Sequence, residues 1–390
     1  MDTEQFEKVR TGQGFFAALD QSGGSTPKAL AEYGIERDRY TTTDEMFDLV
    51  HAMRTRVITN AAFNGSRILA AILFEQTMDR AVDGVPTAQY LWSVKNVVPF
   101  LKVDKGLAPA QDDVQLMKPI DTLDDLLERA NRHRIFGTKM RSVIGDANEA
   151  GIAAIVDQQF EYADRIRAAG LVPIIEPEVS IASPHKAQAE SMLRDAIAKH
   201  VEALPTDARV MLKVTIPTQV GLYAELAADP RVLRVVALSG GYSRTEACAL
   251  LVRDPTLIAS FSRALLEGLT EGQTDQEFSS TLESSVEEIY RASVDKQPAG
   301  ASLPAGPPPH LGKWLAAEKP ESVRKNQNHH PERIRLSRAP PRLSTRLRRR
   351  GVVPVCGADA LGPCAAPRPW ACSRRAAFGV VCAFGRFCRG

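Results

Sequence analysis

Charged and polar side chains stand at the ends of a series of short apolar runs in this sequence. Three of these side chains are lysines, Lys102, Lys139 and Lys213. Lysine amines form covalent intermediates with carbonyl compounds, and carboxylates transfer protons, so a site that gathers both could make or break bonds beside a carbonyl. The full set of run ends is Asp20, Glu75, Lys102, Lys139 with Arg141, Glu176 with Glu178, Lys213, Ser239, and Ser262 with Arg263.

A polar residue at the end of a buried strand also has a plain explanation, because the strand must emerge into water there. That explanation accounts for polarity, but it does not account for three lysines and several carboxylates at equivalent positions. Like charges are costly to bring together, and groups with perturbed ionisation are concentrated at functional sites. Any one of these lysines alone would more often be a solvated surface group, so the prediction depends on the whole set.

The elements that must position these side chains alternate between apolar runs and amphipathic segments. The runs span residues 14–19, 68–74, 97–101, 135–140, 171–175, 210–214, 235–238 and 257–261. Helical periodicity marks residues 43–58, 148–169, 183–204, 243–252 and 275–293. This alternation is typical of βα units around a parallel sheet, and eight such units close into a TIM (β/α)8 barrel. Active sites of that fold lie at the C-terminal ends of the strands, so the run ends are predicted to share one mouth.

The 390-residue chain joins two segments of different composition. Its net charge is +2, but residues 301–390 contain 17 Lys and Arg against 4 Asp and Glu, whereas residues 1–300 contain 32 against 43. Five of the six cysteines also fall in the last 35 positions, at Cys356, Cys364, Cys372, Cys382 and Cys388. We therefore predict a barrel domain over residues 1–296 and a disordered basic tail, rich in Pro, Arg and Cys, over residues 297–390.

Several classes of protein are disfavoured by composition. Hydrophobic residues make up 44% of the chain and charged residues 25%, as in ordinary soluble proteins. No apolar run approaches the roughly 20 residues that a membrane span needs, and the charged N-terminus does not resemble a signal peptide. The sequence thus predicts a cytoplasmic protein without membrane contacts, as a monomer or small homo-oligomer.

The basic tail could in principle contact nucleic acid through phosphates. Aromatic residues are sparse in it and no recognised nucleic-acid motif is present, so we favour an extension without a selected role. Its five cysteines contain no Cys-x-x-Cys pair, which argues against a zinc site.

Seven segments together resemble the class I fructose-bisphosphate aldolases of the short bacterial type. They keep the motif order of that family, and the resemblance covers about residues 1–296. It implies a barrel enzyme that reversibly cleaves fructose 1,6-bisphosphate to dihydroxyacetone phosphate and glyceraldehyde 3-phosphate, in glycolysis and gluconeogenesis, without a cofactor. The segments are AALDQSGGST at 17–26, FLKVDKG at 100–106, GTKMR at 137–141, PIIEPE at 173–178, MLK at 211–213, LSGGYS at 238–243 and SFSR at 260–263.

The resemblance also implies roles for individual residues. Lys213 would form a Schiff base with the ketone, and Lys139 would assist it. Glu176 would handle the dehydration steps, and Asp20 would take the sugar hydroxyl proton during cleavage. An amine attacks only when uncharged, and burial and a second ammonium nearby both favour that form.

Glu178 has two interpretations that the sequence leaves open. It would share the face of Glu176 if the strand stayed extended there, because side chains alternate along a strand, although Pro177 intervenes. It could equally well serve only to hold Lys139 or Arg141 in an ion pair.

Two groups of residues are predicted to bind the substrate phosphates. The loops after strands seven and eight are the usual phosphate site of this fold, and glycine and arginine there suit an anion. The other phosphate is expected at the loop after strand one, although that segment could also be an ordinary helix start. The candidates are Ser239, Gly240, Gly241, Ser262 and Arg263 for the first group, and Ser22, Ser25 and Lys102 for the second, with Arg141 as a further substrate contact.

The sequence bears on three other interpretations. A metal-dependent aldolase would need histidine ligands, but none of the seven histidines shows ligand spacing at a strand end, so no metal is predicted. A Schiff-base barrel acting on another sugar phosphate and an inactive barrel acting as a binding protein both remain open.

The animal enzymes of the family use a C-terminal tyrosine to exchange the enamine proton, whereas the last tyrosine here is Tyr290. Either another group exchanges that proton or turnover of the enamine is slow.

Overall fold

Eight parallel strands form the barrel that the eight apolar runs predict. The computed structural model describes residues 2–22, 24 and 26–297, so Ser25 and nearly all of the predicted tail lie outside the described residues. The strands are β1 (Phe15–Leu19), β2 (Ile68–Leu73), β3 (Val98–Lys102), β4 (Gly137–Ile144), β5 (Val172–Val179), β6 (Val210–Thr215), β7 (Val232–Leu238) and β8 (Ile258–Phe261). Each strand pairs in parallel with the next, and β8 pairs with β1, which closes the barrel and confirms the predicted fold class.

Two strands, β4 and β5, continue four residues past the C-terminal ends of their apolar runs. β4 and β5 pair residue for residue from Gly137 opposite Val172 to Ile144 opposite Val179. A short antiparallel strand, Val114–Gln115, covers the far end of β4. Because of this extension, the charged residues predicted to end the fourth and fifth strands lie within these strands. Backbone pairing there fixes the direction in which each side chain points.

The helices surround the barrel and include all five segments predicted from periodicity. Three of them, the helices that start at Thr43, Arg244 and Asp275, begin at capping boxes in which a Thr or Ser and a Glu three residues later bond reciprocally to the backbone. The helices are α1 (Thr3–Thr11), α2 (Thr26–Glu32), α3 (Thr43–Thr59), α4 (Glu75–Met78), α5 (Thr87–Ser93), α6 (Leu123–Arg132), α7 (Glu149–Ala168), α8 (Lys186–Ala203), α9 (Ala224–Ala228), α10 (Arg244–Leu251), α11 (Arg263–Leu266) and α12 (Asp275–Val294). A 3-10 helix at Arg37–Arg39 and a hairpin of Ala81–Val82 with Val85–Pro86 complete the described elements.

The core is divided by the barrel wall. Along β1, Phe15, Ala17 and Leu19 pack outward against the helices, whereas Phe16 and Ala18 pack inside the barrel. This alternation is the period of two expected of a strand. The inside of the barrel is filled with apolar side chains, as is usual for this fold, and Val9 of α1 packs against them.

Three phenylalanines fill much of the barrel interior. The rings of Phe16 and Phe100 lie 5.5 Å apart, and those of Phe100 and Phe136 lie 5.4 Å apart at 65°. Space for the Phe100 ring depends on Gly137, because a Cβ there would lie 2.6 Å from a ring carbon and 2.3 Å from the Val172 carbonyl oxygen. The glycine of the GTKMR segment therefore has a packing role.

Candidate active site

Two lysine amines lie on either side of one buried carboxylate. Lys213 Nζ is 2.9 Å from Glu176 Oε1, and Lys139 Nζ is 2.9 Å from Glu176 Oε2. Lys139 Nζ also lies 2.6 Å from Asp20 Oδ2. All four side chains are buried. The structure thus brings together four residues predicted from separate runs, which we call the lysine–carboxylate cluster.

The strand pleat explains why these four side chains meet. Residues two apart on a strand share a face, so a polar residue that follows an inward apolar one also points into the barrel. Near the C-terminal ends of the strands, charged side chains replace the apolar side chains that fill the rest of the barrel interior. Phe16 and Ala18 point into the barrel, and Asp20 lies two residues after Ala18. In the same way, Glu176 lies two residues after Ile174, and Lys213 two residues after Met211.

Gln159 of α7 fixes the backbone behind the cluster. Its Oε1 accepts a hydrogen bond of 2.8 Å from the backbone N–H of Glu176, and its Nε2 donates to Ser142 Oγ at 3.0 Å. Gln159 is fully buried. It therefore ties the outer helix to β4 and β5 at the point where β5 presents its carboxylate.

The charges of the cluster set its protonation states. Burial alone would raise the pKa of Asp20, but the positive charges of Lys139 and Lys213 outweigh burial and hold that pKa well below its usual range. Burial alone would lower the pKa of Lys139, but the carboxylates of Asp20, Glu176 and Asp104 outweigh it and raise that pKa above its usual range. Asp20 is therefore ionised and Lys139 protonated across the neutral range.

The geometry of the Lys139–Glu176 contact is that of an ion pair. Within the described part of the chain, Glu176 Oε2 has no partner in hydrogen-bond geometry although the ammonium is only 2.9 Å away. We therefore treat this contact as electrostatic.

Asp104 extends the cluster and was not predicted as a site residue. Its Oδ1 pairs with Lys102 Nζ at 2.6 Å, and its Oδ2 accepts from the backbone N–H of Arg141 at 3.2 Å and lies 4.0 Å from Lys139 Nζ. Burial lowers the pKa of Lys102 despite the Asp104 charge beside it. The FLKVDKG segment contained a usable signal, because Asp104 lies two residues after Lys102.

Glu178 and Arg141 lie further out on the same two strands. Arg141 Nε donates to Glu178 Oε2, and this partner raises the pKa of Arg141 although burial opposes the shift. The structure thus pairs Glu178 with Arg141 rather than with Lys139. Glu75, another run end, lies apart from the cluster, where it pairs with Lys105 at 2.8 Å and with Arg129 at 3.2 Å.

The loops after β7 and β8 adjoin one another at the mouth. Gly240 and Gly241 have φ values of +62° and +116°, which glycine adopts readily, and Ser239 beside them is buried. A Cβ on Gly241 would lie 3.8 Å from a terminal nitrogen of Arg263. The predicted glycine turn and the predicted arginine are therefore neighbours.

The loop after β1 reaches the same part of the mouth. Gln21 Nε2 donates to Ser262 Oγ at 2.8 Å, across the β1–β8 junction. Ser22 is half-buried beside it. Ser25, predicted to contact a phosphate, lies outside the described residues.

Two further polar residues near the mouth carried no signal in the sequence. Arg54 of α3 is buried and donates to the Gln21 carbonyl oxygen at 2.6 Å. Gln159 lies in mid-helix, where a glutamine usually faces solvent. Each of them bonds to residues of another strand or loop, so a local sequence pattern could not identify it.

No group of three or more His, Cys, Asp or Glu residues in the described ranges is arranged to hold a metal ion. The carboxylates of Asp20, Asp104 and Glu176 face lysine amines instead. Among the helices that the structure describes, none combines the length and the apolar character required to cross a membrane.

Comparison with known proteins identifies the family. The family model described as "Glycolytic: Fructose-bisphosphate aldolase class-I" matches residues 4–220. A fructose-bisphosphate aldolase class 1 from Synechocystis sp. is 61% identical over 291 residues, which cover 75% of this chain and 97% of that protein.

A solved structure also shares the fold. A fructose-bisphosphate aldolase from Plasmodium falciparum, crystallised with TRAP and a small-molecule inhibitor, superposes with a TM-score of 0.58 at 22% identity, covering 76% of this chain and 94% of that one. The family match and the cyanobacterial relative together establish the identity: the chain belongs to the class I fructose-bisphosphate aldolases, which are carbon–carbon lyases acting on fructose bisphosphate.

Proposed function

We propose that this enzyme cleaves fructose 1,6-bisphosphate reversibly through a Schiff base on Lys213, as a cytoplasmic enzyme of glycolysis and gluconeogenesis. The observation that carries the proposal is the position of Glu176, with one oxygen 2.9 Å from the Lys213 amine and the other 2.9 Å from the Lys139 amine. A carboxylate in that position can accept a proton when the amine attacks the carbonyl and return it when water leaves. We propose a monomer or small homo-oligomer as the working form.

The first step joins Lys213 to the substrate ketone. Glu176 takes a proton from the Lys213 ammonium, and the free amine attacks the carbonyl carbon to give a carbinolamine. Glu176 then returns the proton to the departing hydroxyl, so water leaves and a protonated imine remains. Lys139 holds the Glu176 carboxylate in place and balances its negative charge whenever Glu176 is deprotonated.

The second step breaks the carbon–carbon bond. Asp20 removes the proton from the hydroxyl on the carbon beyond the bond, the electrons of that bond move into the iminium, and an enamine and an aldehyde result. Protonation of Asp20 is disfavoured while Lys139 contacts it at 2.6 Å. We infer that the Lys139 ammonium shifts towards Glu176, which it already contacts, as Asp20 takes the proton.

Two anion sites at the mouth would hold the phosphates. Ser239, Gly240, Gly241, Ser262 and Arg263 offer backbone N–H groups, hydroxyls and a guanidinium for one phosphate. The other is assigned to Ser22, Ser25 and Lys102. Arg141, held by Glu178, would contact the sugar between them, so Glu178 acts by positioning this arginine.

Borohydride trapping tests the proposal directly. Incubation with dihydroxyacetone phosphate and borohydride should add one reduced triose phosphate to Lys213, as read by peptide mass spectrometry, in the presence or absence of a chelator. Lys213→Met should lose both the adduct and fructose 1,6-bisphosphate cleavage, by at least 10⁴-fold.

The matched control is Lys95→Met. Lys95 is also partly shielded and bonds to the carbonyl oxygens of Thr59 and Asn60, but it precedes β3 at the opposite end of the barrel. This variant should keep both the adduct and the cleavage. Cleavage that survives Lys213→Met would refute the proposal, and comparison of one-phosphate and two-phosphate sugars would define the substrate.

A further inference from the structure

We propose that Arg54, a buried residue of α3, is a positioning residue that orients the Ser262 hydroxyl towards a substrate phosphate through the side chain of Gln21. The inference rests on the proposed function, because Ser262 is assigned there to a phosphate. Arg54 itself would touch no substrate atom.

Arg54 is an unusual residue to bury. Its side chain is 1% exposed, and within the described part of the chain no carboxylate lies within ion-pair distance of it. A buried charge without a salt bridge is costly. Burial lowers the pKa of Arg54 to about 10, with the Asp20 charge opposing the shift, so the guanidinium remains positive at neutral pH.

The guanidinium joins the ends of two strands. Arg54 NH1 donates to Thr77 Oγ1 in α4, just after β2, at 2.6 Å. Arg54 NH2 donates to the Gln21 carbonyl oxygen at 2.6 Å and to Gln21 Oε1 at 3.3 Å. Gln21 directly follows Asp20, so one buried group fixes the backbone that carries a residue of the lysine–carboxylate cluster.

A guanidinium can only donate, and this sets the direction of the remaining bonds. Because Arg54 NH2 faces the Gln21 amide, the amide must present its oxygen to Arg54 and its nitrogen to Ser262. Gln21 Nε2 therefore donates to Ser262 Oγ at 2.8 Å. The Ser262 oxygen is used as an acceptor, which leaves its own proton available to donate.

A phosphate needs donors, so the orientation matters. Ser262 precedes Arg263, whose guanidinium lies beside Gly241 in the loop after β7. If the Gln21 amide were reversed, Ser262 would donate to Gln21 and turn lone pairs towards the anion. Arg54 prevents that reversal.

Gln21→Met tests the link at the side chain that transmits it. Methionine keeps the approximate volume but cannot donate to Ser262. We expect the KM for fructose 1,6-bisphosphate and the inhibition constant of inorganic phosphate to rise together, by about tenfold, while kcat changes by less than threefold. Borohydride trapping of dihydroxyacetone, which has no phosphate, should keep its wild-type rate.

Gln158→Met is the matched control, because Gln158 is also half-buried with both amide groups bonded, in its case to the backbone of Met117. It should leave the phosphate inhibition constant unchanged. Arg54→Gln is the second variant, since an uncharged side chain that can also accept permits the amide to reverse. It should raise the phosphate inhibition constant as Gln21→Met does.

Phosphate inhibition and the two trapping rates together test the positioning role. If Gln21→Met leaves phosphate inhibition unchanged, or slows trapping of dihydroxyacetone as much as trapping of its phosphate, the positioning role is refuted. A folded Arg54→Gln variant that leaves phosphate inhibition unchanged also refutes it. Should that variant fail to fold, Gln21→Met tests the Gln21–Ser262 bond through which Arg54 must act. Failure of the proposed function would differ, because the wild-type enzyme itself would then form no adduct.

Discussion

At the scale of single residues, Glu176 links the two lysine amines of the mouth. Two ammonium groups would repel each other in the barrel interior, and the Glu176 carboxylate stabilises both at 2.9 Å. Asp20 shares the charge of Lys139, so the four groups form a balanced set of two positive and two negative charges. Removing one member leaves a net charge in this buried set, which costs stability.

Glu176→Gln should separate proton transfer from binding. The amide keeps the shape but cannot relay a proton, so we expect kcat to fall by about 10²–10⁴-fold and the rate of borohydride trapping to fall with it. The measurement is steady-state cleavage together with trapping by mass spectrometry.

The matched control is Glu178→Gln, two residues along the same strand. Its carboxylate binds Arg141 instead of a lysine of the cluster. It should raise KM more than it lowers kcat. Equal losses of kcat in the two variants would show that the roles of these glutamates are wrongly divided.

At the scale of elements, the β4–β5 pair holds Lys139, Arg141, Glu176 and Glu178, and its close packing depends on Gly137. Gly137→Ala would place a Cβ 2.3 Å from the Val172 carbonyl oxygen and 2.6 Å from the Phe100 ring. We expect a loss of about 1–3 kcal/mol in the free energy of unfolding, measured by urea denaturation.

Adding Phe100→Leu to Gly137→Ala should relieve only the contact with the ring, because the carbonyl belongs to the backbone. Gly272→Ala is the control, since nothing lies within 4 Å of its Cβ position. It should change stability by less than about 0.5 kcal/mol. A similar cost at both glycines would contradict the packing argument.

The elements were predicted from the sequence more fully than their contacts. Apolar runs identify all eight strands, but they stop too early at β4 and β5. Arg141 and Glu176, which directly follow these two runs, interrupt the apolar character of the strands while their backbones remain paired. Residue identities at the mouth were also predictable, whereas the bridging position of Glu176 and the burial of Arg54 follow from tertiary approach, which a local pattern does not encode.

At the scale of the whole molecule, the buried charges make stability depend on pH at both extremes. The pKa of Asp20 is lowered in the fold, so its contribution is complete above the unfolded value of about 3.9 and is lost as the pH falls towards the folded value. The pKa of Lys139 is raised, so its contribution is complete below about 10.4 and is lost as the pH rises towards the folded value.

Urea denaturation between pH 3 and 11 should reveal this dependence by comparison of variants. The double variant Asp20→Asn with Lys139→Met should give a flatter profile than the wild type at both ends. Lys139→Met alone should be the least stable at neutral pH, by about 3–5 kcal/mol, because Asp20 and Glu176 lose their shared cation. Removal of the exposed Arg132–Glu128 pair should leave the profile unchanged.

The bond between Gln21 and Ser262 joins residues 241 positions apart, at the seam where the last strand meets the first. Such a pairing forms late, because the entropy of closing so long a loop must be offset by contacts made at the end. During synthesis, a nascent chain that lacks β8 has every residue of the lysine–carboxylate cluster but only part of the proposed anion-binding mouth. Catalytic competence should therefore arise only after the ribosome has released the eighth strand, and enzyme activity would serve as a reporter of completed ring closure.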